Sequence, residues 1–162
     1  MGEGKLSIPT LIGNQQSQAE IMACNEITSD YYLQLSKEEA SMLLATRSEA
    51  LSKNDRVEFG GGIITKIIMA FKDSDYISQY NYAITISDLI ETFYYYKNET
   101  LDLISDDDLI ELMRELFDKR CHGSIDLLQN RELERISHNV KYGIWDFDKV
   151  EEIDEGEYED EY

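Results

Sequence analysis

The twelve residues from Asp118 to Gln129, "DKRCHGSIDLLQ", have the outline of an EF-hand calcium loop. Such a loop places side-chain oxygens at positions one, three, five, nine and twelve, glycine at six and a backbone carbonyl at seven. Asp118, Gly123 at six, Ile125 at eight and Asp126 at nine fit that outline. The chemistry does not. Arg120 puts a fixed cation at position three, His122 stands at five, and Gln129 at twelve removes the bidentate carboxylate that completes the coordination. EF-hands also work in pairs, and the stretch "DSDYIS" from Asp73 lacks the glycine and the fifth ligand of a second loop. The same letters spell a helix stop at Gly123 and a fresh cap at Ser124, so a turn between two helices is expected and no metal.

Four other groupings could do chemistry. Cys121 next to His122 suggests a nucleophile, but it falls at the carboxyl end of a predicted helix, where the dipole opposes a thiolate. A structural cysteine is the expectation. Cys24, Cys121, His122 and His138 are the only cysteines and histidines, and their spacing lacks the paired character of a zinc site. "EFGGGIITK" places Gly60, Gly61 and Gly62 before an apolar run and could cradle an anion. It has no GK[ST] and carries Glu58, so a tight turn is expected. Asp106, Asp107, Asp108 and Glu111 cluster as the ligands of a metal site do, yet a capped helix start accounts for all four. No catalytic, cofactor-binding or metal-binding residue emerges from these groupings.

Aromatic residues give the candidate contact sites. In "FYYYK" the helical spacing predicts that Phe93 and one or two of Tyr94, Tyr95 and Tyr96 enter the core, leaving another exposed. Exposed tyrosine supplies large contact area at low entropic cost. Trp145 and Phe147 follow in an acidic setting and are the other candidate interaction residues.

The elements that position these residues read as helices. Pro9 is the only proline, and residues 1–13 read as a flexible leader. A short helix is expected near "QQSQAEIMACNEI". Ser36 and Glu39 form a capping-box pair ahead of Ala40, Leu43, Leu44, Arg47 and Leu51, predicting a helix over 37–53. "IITKIIMAF" predicts a short buried helix. Apolar residues from Tyr76 to Lys97 predict one long helix, or two with a restart at Ser87. Ser105 and the three aspartates open another, with Leu109, Ile110, Met113, Leu116 and Phe117 as its buried stripe. A last helix buries Ile125, Leu128, Leu133, Ile136 and Val140 and stops at Gly143. The sum is all-α: a single domain over 14–145, five or six helices with short loops, and an acidic, largely disordered tail over 146–162.

Charge sets the range of partners. The 162 residues carry a formal charge of −19, and 146–162 alone hold ten acidic side chains against one lysine. Nucleic acid and anionic membranes attract Lys and Arg, so neither is an expected direct partner; a protein with a basic surface is. No apolar run reaches the length of a membrane span, and no signal peptide is evident. Two distant cysteines fit a reducing compartment, so the expected location is cytoplasmic, where the "NET" sequon at Asn98 has no meaning.

The run "FYYYKNETLDLISDDDLIELMRELFDKRCHGS", with "RVEFGGGI" upstream, resembles an uncharacterised family of small acidic helical bacterial proteins, over about residues 22–140. The resemblance implies a coherent bacterial domain and carries over no catalytic residue. Three function classes follow in order: a non-catalytic interaction or regulatory protein whose acidic surface meets a basic partner, an inhibitor that imitates nucleic acid, and an enzyme whose active site converges from distant helices.

Overall fold

The structure is a computed structural model that describes residues 8–144. Six helices carry the fold among them: α1 (Ile8–Ala23), α2 (Lys37–Lys53), α3 (Gly62–Phe71), α4 (Tyr82–Glu99), α5 (Asp106–Lys119) and α6 over 125–141. Short helical turns at Asn25–Thr28 and Ser29–Tyr31 join α1 to α2. The all-α expectation holds. The leader expected over 1–13 overlaps α1, because residues 8–13 are helical with Pro9 in the first turn, where a missing N–H costs nothing. Residues 1–7, Trp145, Phe147 and the acidic segment 146–162 lie outside the described residues.

Helix starts follow side chains that replace missing backbone bonds. The Ser36 hydroxyl accepts the Glu39 amide at 3.0 Å, and the Glu39 carboxylate accepts the Ser36 amide at 2.8 Å, so the predicted capping box opens α2. Ser105 caps α5 by accepting from the Asp108 amide, and Ser124 caps α6 by accepting from the Leu127 amide. α3 has no side-chain cap at its own Gly61. Carboxylates from elsewhere serve it instead: Glu20 of α1 accepts the Gly61 amide at 2.6 Å, and Glu58 accepts the Ile63 amide at 3.3 Å. Arg47 of α2, nearly buried, holds Glu58 in place at 3.1 Å. Gly62 is left-handed at φ +43°, and a Cβ there would lie 2.6 Å from the Glu58 carboxylate, so only glycine fits.

α4 differs from the long-helix expectation at its start. It begins at Tyr82 rather than Tyr76, because Asn81 folds the preceding residues into a turn, accepting from the Ser78 amide and donating to the Tyr76 carbonyl. There is no restart at Ser87. Its hydroxyl instead pairs with Thr46 of α2 at 2.9 Å, part of the long α2–α4 contact. α4 is the hub of the domain and touches α2, α3, α5 and α6.

The core lies around α3 and α4. Ile64, Ile67, Ile68, Phe71, Ile86, Leu89 and Phe93 are at most 1% exposed, each burial contributing on the order of 2 kcal/mol. From α5, Leu109, Met113, Leu116 and Phe117 join them, and Phe117 meets Phe71 edge to face at 5.5 Å. The predicted stripe of α5 is buried throughout, and that of α2 is buried at Ala40, Leu43, Arg47 and Leu51, with Leu44 half-buried. No helix among the described residues is long and apolar enough to cross a membrane.

Candidate functional site

A π-turn inside α6 borders a cavity lined with polar side chains. The segments Ile125–Leu127, Leu128–Glu132 and Leu133–Lys141 run on without a break, the middle one π-helical. There the Leu133 amide bonds the Leu128 carbonyl, five residues back. In an α-helix that amide would serve Gln129, so the Gln129 carbonyl loses its normal donor. Tyr96 of α4 supplies the replacement: its hydroxyl donates to the Gln129 carbonyl and also sits 3.0 Å from the Glu134 carboxylate. Burial, reinforced by Glu134, raises the Tyr96 pKa, so the phenol keeps its proton for this bond.

Beside the π-turn, between α4 and α6, lies a cavity of about 250 Å³. α4 contributes Glu91, Thr92, Tyr95 and Tyr96; α6 contributes Gln129, Asn130 and Glu134. Tyr95 is 50% exposed, and its ring meets that of Tyr96 edge to face at 4.8 Å. A hydrogen-bond chain stiffens the floor: the Gln129 amide donates to the Thr92 hydroxyl at 2.6 Å, and Thr92 donates to the Asp88 carbonyl at 2.7 Å. At the rim, the Asn130 amide donates to Asp126 at 2.7 Å. No lining residue is Lys or Arg. The arginines of α6 turn elsewhere, Arg131 reaching the buried Glu132 at 2.6 Å and Arg135 the same oxygen at 3.7 Å.

Of the predicted tyrosines, Tyr95 and Tyr96 come together at this cavity, while Tyr94 points away. It packs in the core against Phe93, and burial together with the nearby Glu58 raises its pKa. One exposed and two buried tyrosines agree with the division read from helical spacing. Glu91, Thr92, Asn130 and Glu134 were not singled out from the sequence. The apolar spacing gave no signal of the π-turn, because Ile125, Leu128, Leu133, Ile136 and Val140 keep to one face of an ordinary α-helix.

The other groupings are occupied by the protein itself. Asp118, first in the pseudo-EF-hand loop, accepts from Arg114 at 2.6 Å and from the Ser74 hydroxyl at 2.7 Å. His122 adopts φ +48° and pairs with the Tyr76 hydroxyl, and the left-handed Gly123 lies against the Tyr76 ring. The segment is thus a turn. Cys121 is buried, and burial followed by the Glu132 charge pushes its pKa up to about 12, which leaves it a neutral thiol. Asp106 pairs with Lys97 and Asp107 with Lys66, each at 2.8 Å. At the glycine loop, Glu20 takes the Gly61 amide and Glu58 the Ile63 amide. Asn98 of the sequon is held between Arg56 and Asn54. Among the described residues no three or more His, Cys, Asp and Glu side chains gather as metal ligands.

Comparison with known proteins gives a family and little beyond it. No curated protein and no solved structure matches the chain. One family model covers residues 20–146, most of the sequence and all of α2 to α6, so the chain belongs to DUF6323, a family of unknown function.

Proposed function

We propose that this is a non-catalytic interaction protein, bacterial and cytoplasmic, that recognises a basic protein partner by admitting one of its cationic side chains between α4 and α6. The observation that carries the reading is the lining of the cavity: two carboxylates, Glu91 and Glu134, an exposed Tyr95 ring and no resident cation. At about 250 Å³ the space falls below the range of about 300–1,000 Å³ usual for small-molecule sites and suits a single side chain. The overall charge of −19 adds long-range attraction for the same partner and repels nucleic acid. Two buried free thiols suit a reducing compartment.

The test is fluorescence anisotropy of a labelled peptide containing both Lys and Arg, titrated with the full chain and with its Glu91→Gln/Glu134→Gln variant. Removing two of 34 acidic residues barely changes the general field. Marked weakening in the variant therefore locates binding at the cavity. Equal affinity for the two proteins, or binding that disappears altogether at moderate salt, refutes the reading.

A further inference from the structure

We infer that the cavity between α4 and α6 selects arginine over lysine, an assignment that rests on the proposed recognition of a basic partner and names the group recognised. Hydrogen-bond direction favours a donor-rich ligand. Gln129 gives one amide N–H to Thr92 and Asn130 one to Asp126, while Thr92 donates to the Asp88 carbonyl and Tyr96 to the Gln129 carbonyl. Acceptors then outnumber donors in the lining: the side-chain oxygens of Gln129 and Asn130 and the carboxylates of Glu91 and Glu134 stand against one spare N–H on each amide and the Tyr95 hydroxyl. A ligand here must bring donors, and several of them.

Shape favours a flat donor array. The acceptors are divided between two helices, so donors spread over a plane suit both walls better than donors on a compact centre. A guanidinium carries five N–H donors in a flat fork, whereas an ammonium carries three on a compact centre and is more strongly hydrated. The half-exposed Tyr95 ring, fixed edge to face by Tyr96, adds an aromatic wall on which a planar cation stacks. Glu134 does not need to be ordered on binding, because Tyr96 already holds one of its oxygens.

The experiment is an NMR titration of the full chain with N-acetyl-arginine methylamide, the corresponding lysine compound and the corresponding neutral citrulline compound. Arginine should shift the backbone amides of Thr92, Tyr95 and Asn130 saturably, with lysine about 10-fold weaker and citrulline silent. Equal affinity for arginine and lysine at those amides overturns the selectivity and leaves the proposed interaction standing. No shift at those amides with either cation overturns both readings. The Glu91→Gln variant, altered only at an exposed side chain, should weaken arginine binding without changing the melting temperature; undiminished binding refutes the site.

Discussion

Replacing Tyr96 by Phe tests the physical account of the π-turn, because it removes one oxygen and keeps the ring. The Tyr96 side chain is 3% exposed, so water replaces its hydroxyl only by entering the cavity beside it. Its loss strands the Gln129 carbonyl, already deprived of the Leu133 amide, and leaves the adjacent Glu134 oxygen without its donor. A buried acceptor left unpaired costs about 1–3 kcal/mol, and since one proton serves both acceptors, about 2 kcal/mol is the expected loss. For a chain of 162 residues this lowers the melting temperature by about 4–8 °C. The assay is thermal and urea unfolding of the full chain followed by circular dichroism, with Tyr95→Phe as control. Tyr95 lies one residue earlier but is half exposed, so its variant should stay within about 0.5 kcal/mol of the parent. If Tyr96→Phe unfolds within that same margin, the hydroxyl is not what supports the displaced carbonyl. Equal losses in the two variants would refute the argument as well.

Further expectations follow from burial, backbone and charge. Gly123→Ala should destabilise more than Gly143→Ala in urea unfolding: both are left-handed, but a Cβ at Gly123 would lie 2.5 Å from Tyr76, whereas Gly143 meets nothing within 4 Å. Cys121 should resist alkylation of the native protein at pH 8. Because its folded pKa is pushed up to about 12, its stabilising contribution is complete below the unfolded thiol value, and is lost as pH rises toward 12. The hydrogen bond from Arg114 holds the Asp73 carboxyl low, and that from Arg56 does the same for Asp102. Both stabilise above the ordinary carboxylate range and lose that effect as pH falls through their folded values, so Asp73→Asn/Asp102→Asn should flatten the acid limb of stability against pH; an unchanged slope counts against these pairs. Millimolar calcium should shift the melting temperature no more than magnesium does, given that Asp118 is committed to Arg114 and Ser74.

The sequence was legible wherever one local interaction decides the backbone. Ser36 with Glu39, Ser105 and Ser124 mark helix starts because the cap and the amide that donates to it lie three residues apart, so the bond is written into adjacent letters. Ser87 has the same letter with another purpose: it reaches Thr46, 41 residues away, and no local pattern separates a cap from a contact between helices. The start of α4 was missed for the converse reason, since Asn81 shapes the turn without capping the helix. At the cavity, burial of two of the three consecutive tyrosines follows from helical geometry. What Tyr96 does there depends on a carbonyl 33 residues away, released by a π-turn that the apolar spacing of α6 does not announce. Glu91 and Glu134 read as ordinary surface acids until α4 and α6 are placed side by side.

The borrowed capping of α3 ties the order within this domain to its assembly. A ten-residue helix that begins with glycine and has no side-chain cap of its own is marginal in isolation, however apolar its faces. Its first free amide is met by Glu20, 41 residues earlier, and its next by Glu58, which Arg47 restrains. The end of α3 is therefore completed only by the docking of α1 and α2. Hydrogen exchange at Gly61 and Ile63 measures that docking rather than the stability of the helix that these amides open. A chain cut after Glu20 would show the difference, with fast exchange at Gly61 beside slow exchange at Ile67 and Ile68 within the helix.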